Sequence, residues 1–470
     1  MRKSRFIIIA VVVLTVGGLL LWKSPTLFAK KETKNELTVV EELYTLIAKQ
    51  SIYDTPTTQL VEGALKGMTA AIKDPYSTYY TEEQARLHRQ SLATERVGIG
   101  LELTQTQGKF IVVSPMKGSP VEKAGVRALD EIVQINGERL DGKTVADVVL
   151  LLQGDVGEEV TLVLYRPQVD RHIKITVERI QMKNDTVDSK IVEREGVKIG
   201  YISISLFGEN TANEWKEAIQ ATGQVDGWII DVRDNPGGYL QSVAAMISTF
   251  EQKERTFAYM QNSEGVTEAL QTKPDFLDVL QQPIVVLQNE GSASASEVFA
   301  AAMQTWERAT IIGTKSFGKG TVQNSWELEN GGEAKLSTNK WLTPKKEWIH
   351  HKGIMPDIEV KEHPLFSLEM VPLKGSYKLG DFSEEVAYAQ HVLNELGYAI
   401  TRIDGLFEET TVEAVQQFRK QQDLVKGEEM DEAFFIALQQ QAVAYKEDAT
   451  NDLQLEMAIS FLMHAQEDKK

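Results

Sequence analysis

A chain of 470 residues exceeds what one hydrophobic core holds and reads as about three domains. Its net charge of −18 at pH 7 excludes a broad phosphate-binding face, and with it nucleic acid as a partner. Zero cysteines exclude disulfides, cysteine nucleophiles and thiolate metal sites, and no metal or other cofactor is expected.

The chain starts MRKSRFIIIAVVVLTVGGLLLWKS, where Arg2, Lys3 and Arg5 precede an uncharged run from Phe6 to Trp22 closed by Lys23. Such a run reaches the lower edge of bilayer-spanning length, and the cations hold its start on the cytoplasmic side. Residues 1–28 are therefore read as a cytoplasmic stub and single-pass anchor in the cell membrane, with everything after them extracytoplasmic. The rival reading is a removable signal cleaved after Ala29, for which Leu27 is a poor neighbour.

Residues 30–94 read as helical. ELTVVEELYTLIAKQSIY and TTQLVEGALKGMTAAIK carry apolar residues at three-and-four spacing, broken by DPYS at 74–77. Two such stripes with little local core predict packing on another domain or on a second copy, as in a homodimer. From 95 to 180 the signals become short strands: GIGLEL, GKFIVVSPM, DEIVQING, EVTLVLYRP and HIKITVER, interrupted by a helical stretch at 143–154. That count of strands predicts a small barrel or sandwich.

Strand–helix alternation fills 181–365, through VKIGYISISLF, TANEWKEAIQATG, GWIIDVR, YLQSVAAMISTF and PIVVLQN. The fold class is thus multidomain α/β, with ligands expected at the carboxyl ends of strands. DNPGG at 234–238 and NEGSASAS at 289–296 fall at two such ends. Residues 370–443 read as three short amphipathic helices, and 444–470 as an acidic tail that forms one amphipathic helix or frays.

Ser294 and Glu297 have the spacing of a helix capping box. The same geometry suits a nucleophile, because a serine at a helix start lies near unsatisfied amides, that of Ala295 among them. Spacing alone does not choose among Ser292, Ser294 and Ser296. A serine needs a base, and no histidine occurs between His172 and His350. The nearby bases are Lys315 and Lys319, and a lysine serves once burial lowers its proton affinity. Gly313–Lys319 also fits a phosphate-loop pattern, but Gly320 stands where that loop needs Ser or Thr, which excludes it. The glycines of DNPGG give either a tight turn or amides close to a substrate carbonyl.

LVEGALKGM, DPYSTYY, VGIGLEL with SPVEKAGV, DVRDNPGG, GSASASEVFAAAM, IIGTKSFGKGTVQ and LTPKKEWIHHKGIMPDIEV stand in the order found in the carboxyl-terminal processing (tail-specific) serine peptidases. The chain resembles that family over most of 36–362. The resemblance implies that Ser294 is the nucleophile, Lys319 the general base and Gln323 the residue holding that lysine. It places the oxyanion amides at Ala295 and at Gly237 or Gly238. It also implies a PDZ domain over 95–180, with Val97, Gly98, Ile99, Gly100 and Leu101 as the loop that takes a peptide carboxylate. Departures touch turns: Leu129 precedes Asp130, and the glycine usual after the TP of TPKKEW is missing. Residues 379–441 resemble a small peptidoglycan-binding module, with Glu408 replacing the glycine that usually follows Phe407; the module either binds glycan or is a structural copy.

The expected activity is serine endopeptidase, acting on proteins with flexible C-termini and gated by the PDZ domain. Arg166 is the candidate contact between PDZ and core. Two rivals are an inactive scaffold that joins PDZ and cell-wall binding, and a hydrolase using His350 or His351 as base.

Overall fold

The computed structural model describes residues 37–467 apart from 94, 107, 117, 128–129, 144, 167–170, 184 and 369–374. The apolar run Phe6–Trp22, read as a membrane anchor, lies outside them. No helix among the described residues is long and apolar enough to cross a membrane. The chain divides into two compact units, one ending at Thr81 and one beginning at Glu82.

In the first unit the helices Leu37–Gln50 and Thr57–Ala70 bury none of their residues. Leu43, Leu46, Val61 and Met68 are all exposed, so the apolar stripes seen in the sequence remain in solvent.

In the second unit, strands Leu101–Thr106, Lys109–Pro115, Glu131–Ile135, Glu159–Arg166 and Arg171–Glu178 pair antiparallel in that order. Phe110, Val112, Ile132, Val160, Leu162 and Leu164 form their core with Val148 and Leu152 of the helix Val145–Leu152. Glu95–Gly98 pairs with Ile180–Lys183, closing the neck of this domain.

The next layer is the peptidase-like core. Its sheet runs β1 (Val187–Arg194), β2 (Val197–Ile204), β3 (Gly227–Asp231), β4 (Ile284–Gln288), β5 (Thr310–Gly313) and β6 (Ile358–Glu359), in that spatial order. β1 is antiparallel to β2, and every later pairing is parallel. GWIID and IVVLQ are buried at every position, as strands covered on both faces must be. Trp228, Ile230 and Val286 face α1 (Thr211–Thr222), α2 (Leu240–Ser248) and α3 (Ala295–Thr305). Ile199, Ile229, Val285, Leu287 and Ile312 face the other way.

That second face is covered by α4 (Leu453–Glu467), through Leu455, Ala458, Ile459 and Leu462. The stretch expected as an acidic tail is therefore part of the core, and its residues 444–447 belong to the preceding helix Glu432–Glu447. Its acidic residues masked an apolar stripe whose partner is made by strands far back in the chain. The small helical module, helices Glu384–Glu395, Glu409–Gln421 and Glu432–Glu447, packs on Phe407, Phe418, Phe434 and Phe435 between β6 and α4.

Within the second unit four more strands pair antiparallel in the order Thr321–Glu327, Glu333–Leu342, Thr256–Asn262 and Thr267–Gln271. The first of them begins directly after the turn that holds Lys319.

Candidate active site

The three serines of SASAS divide by what their hydroxyls do. Ser292 donates to the Val232 carbonyl at 2.7 Å and accepts from the Asn289 amide at 3.0 Å. Ser296 donates to the Asn235 carbonyl at 2.9 Å. Both are fully buried. Ser294 is half-buried, stands at the N-cap of α3 and makes no side-chain capping hydrogen bond, although its side chain faces the Glu297 amide as in a capping box. Its φ of 54° is unusual for a residue with a side chain, and such strain marks positions held by their surroundings.

Those surroundings start with DNPGG. The Asn235 carbonyl accepts from the Ala293 amide at 3.0 Å as well as from Ser296, so it stitches the glycine loop to the serine loop. The Asn235 side chain accepts from the Gly237 amide at 2.9 Å and donates to the Ile204 carbonyl at 2.8 Å. Gly237 has φ 106°, and a Cβ there would lie 2.8 Å from the Ser294 Cβ and 3.0 Å from the Ala295 nitrogen. Only glycine permits this approach. Of the two candidate glycine amides, that of Gly237 is thus occupied. The amides of Gly238 and Ala295 find no acceptor among the described residues.

Lys319 lies half-buried in a turn gripped from outside, whereas Lys315 is exposed. Trp341 Nε1 donates to the Lys319 carbonyl at 2.7 Å and Trp348 Nε1 to the Gly320 carbonyl at 2.8 Å. The Gly320 amide donates to His350 Nδ1 at 3.2 Å, and the His350 ring stacks on Trp348. From inside, the buried Glu297 carboxylate accepts from the Lys319 amide at 2.8 Å and the Gly318 amide at 2.7 Å. It also accepts from the Ser294 amide at 2.8 Å and the Ser316 hydroxyl at 2.6 Å. Burial raises this carboxyl above the usual glutamate value, and the donors around it pull the other way.

Gln323 is bonded to neighbours in its own sheet. Its amide donates to Thr321 at 3.0 Å and to Ser337 at 3.1 Å, hydroxyls presented by its own strand and the one beside it. Asn235, Ser316 and the two tryptophans escaped sequence reading; the asparagine within DNPGG was the one available signal.

Carboxy-terminal processing protease CtpB of Bacillus subtilis (strain 168) is 36% identical over 440 residues, 92% of this chain and 90% of that protein. The chain belongs to the carboxy-terminal processing proteases of peptidase family S41. CtpA of the same organism is 34% identical over 429 residues, 90% and 89% of the two chains. A probable CtpA-like serine protease of Staphylococcus aureus (strain N315) is 35% identical over 403 residues, 85% and 80% of the two. Family models match in the order activating protease CtpB N-terminal domain (24–84), PDZ domain (111–166), peptidase family S41 (198–360) and putative peptidoglycan binding domain (382–426).

In this serine protease the PDZ loop is tightly built. Val97 and Gly98 end the neck strand, Ile99 is buried, and Leu101 opens the next strand. Gly100 has φ 78°, and a Cβ there would lie 2.2 Å from the Ser119 Cβ. Arg166 is not a contact to the protease core. Its guanidinium grips the fully buried Asp130 by two bonds of 2.7 Å and the Gly125 carbonyl at 2.7 Å, all inside the PDZ domain. A carboxylate with no exposed surface captures the nearest arginine, which sequence position could not show.

Proposed function

We propose that this protease works outside the cytoplasm as an endopeptidase that recognises protein C-terminal tails, with Ser294 as nucleophile and Lys319 as base. The observation that carries this is the sorting of the serines: Ser292 and Ser296 give their hydroxyls to backbone carbonyls, and Ser294 keeps its own beside two unpartnered amides. The Ser294 oxygen attacks the scissile carbonyl while its proton passes to the neutral Lys319 amine. The Ala295 and Gly238 amides take the oxyanion, an interaction whose single donors are worth on the order of 10²–10³ in rate. Lys319 then protonates the leaving amine, and water attacks the acyl-enzyme by the same route in reverse. Ser294→Ala and Lys319→Ala should each abolish peptide cleavage with the fold intact, and activity in Lys319→Ala would overturn the assignment.

Gating by the PDZ domain completes the reading. A tail bound at Val97–Leu101 favours an arrangement in which Gln323 leaves Thr321 and Ser337 for the lysine. Amidated tails should then stimulate cleavage less than free acids. The unburied helices Leu37–Gln50 and Thr57–Ala70 are proposed to pair with a second copy, and Leu43→Glu should convert dimer to monomer in sedimentation. Phe6–Trp22 is proposed as the single-pass anchor and residues 382–426 as a contact to peptidoglycan, tested by membrane fractionation and by cell-wall pull-down.

A further inference from the structure

The sequence IIGTKSFGKG resembles a phosphate-binding loop that lacks its magnesium residue, and the fold shows what the loop holds instead. The Ser316 hydroxyl and the Gly318 and Lys319 amides converge at 2.6, 2.7 and 2.8 Å on the Glu297 carboxylate. Converging amides of this kind form a nest for an anion. Here the anion is a side chain of the protein, supplied by the first turn of α3.

A helix cap needs one amide, and the Ser294 amide at 2.8 Å provides it. The three further donors, all from the lysine turn, have no place in a capping role. Their distribution is specific: Oε1 takes Ser316 and Gly318, and Oε2 takes Ser294 and Lys319. One oxygen atom therefore joins the backbone of residue 294 directly to the backbone of residue 319.

We propose that Glu297 is the positioning residue that sets the separation of nucleophile and base. This rests on the Ser294–Lys319 reading above. One other bond crosses the site, from the Phe317 amide to the Ser292 carbonyl at 3.0 Å, and it reaches the loop before Ser294 rather than the helix; further supports of the lysine turn come from its own side. Trp341 and Trp348 bind its carbonyls, and a Cβ at Gly318 would strike the Gly353 amide nitrogen at 2.9 Å. These fix the turn to strand 333–342 and to the 348–353 segment, whereas Glu297 fixes it to the helix that carries Ser294. An ionised carboxylate offers about four acceptor positions and no donor, and all four are filled. Burial pushes the carboxyl above its usual value, and the four donors oppose that shift.

Glu297→Gln keeps shape and removes one acceptor oxygen, setting an NH2 against two donors. Misplacement by 1 Å costs on the order of 10²-fold in rate. The expected result is a folded protein whose kcat for a tail peptide falls roughly tenfold to a hundredfold with KM little changed. Glu297→Asp, which keeps the charge on a shorter stem, should recover part of that loss. Wild-type kcat in Glu297→Gln, or an equal loss in Glu297→Asp and Glu297→Gln, overturns the proposal. If Glu297→Gln does not fold, Ser316→Ala decides, since it deletes one of the four donors: kcat should fall roughly threefold to tenfold at unchanged KM, and wild-type kcat overturns. Lys319→Ala is measured alongside. An active Lys319→Ala enzyme sinks the Ser–Lys reading itself, whereas an inactive one beside a fully active Glu297→Gln enzyme sinks only the positioning role.

Discussion

Arg233 holds Asp452 through paired hydrogen bonds of 2.7 and 2.9 Å, joining the end of β3 to the start of α4. The same guanidinium holds Asp231, and Asp452 caps α4 by accepting from the Leu455 amide at 3.0 Å. Burial opposes the arginine's charge, and the two aspartates more than offset it. Asp452→Ala should cost about 3 kcal/mol, the lower end for a broken buried pair because Asp231 remains. Ending the chain before Leu453 should cost more, since Leu455, Ile459 and Leu462 each contribute about 1.5–3 kcal/mol by burial. Urea denaturation measures both, and an unchanged midpoint for the truncated chain would contradict the role given to α4.

The serines should separate stability from activity. Ser292→Ala strands the Asn289 amide and should destabilise by about 1–3 kcal/mol, whereas Ser296→Ala removes one of two donors from the Asn235 carbonyl and should cost about 0.5–1.5 kcal/mol. Ser294→Ala should leave the melting temperature near wild type while abolishing cleavage. Ser294→Gly relieves the positive φ and should melt higher than Ser294→Ala.

Glu297 predicts a pH signature. Its native carboxyl keeps its proton above the ordinary value of 4.5, so between the unfolded and folded values the native state binds more protons than the unfolded one. Its contribution to stability therefore falls as pH rises through that window. Urea midpoints measured across a pH series should decline less steeply in Glu297→Gln than in wild type, and equal slopes would contradict the shift.

Arg166→Ala should act on the PDZ domain itself. It strands the buried Asp130, which keeps the Arg127 amide at 2.9 Å, and should cost about 3 kcal/mol. Melting of the isolated PDZ transition by calorimetry reads this directly.

The layered core was legible because WII at 228–230 and IVVL at 284–287 are apolar without alternation, which strands covered on both faces require. The lysine turn was legible as glycine-rich, but its function as a nest was not. Its anion comes from Glu297, which sequence reading had already assigned to a helix cap, and one carboxylate serving two segments leaves no double trace. The choice among three serines rested on carbonyls of Val232 and Asn235, which belong to another loop. Arg166 was misplaced for the same reason: its partner Asp130 is a neighbour in space alone. Leu455, Ile459 and Leu462 show helical spacing in the chain, yet nothing nearby reveals that a sheet lies under them.

The position of α4 has a consequence for timing. Both loops that bear Ser294 and Lys319 are made well before Leu455–Leu462, and the whole small helical module is made in between. Domains generally fold as they emerge, first part first. This core breaks that order, because β2–β5 keep one face bare to water until residues 453–467 arrive to cover it. A nascent chain can thus carry every reacting group and still not be a finished enzyme, a delay written into the order of synthesis.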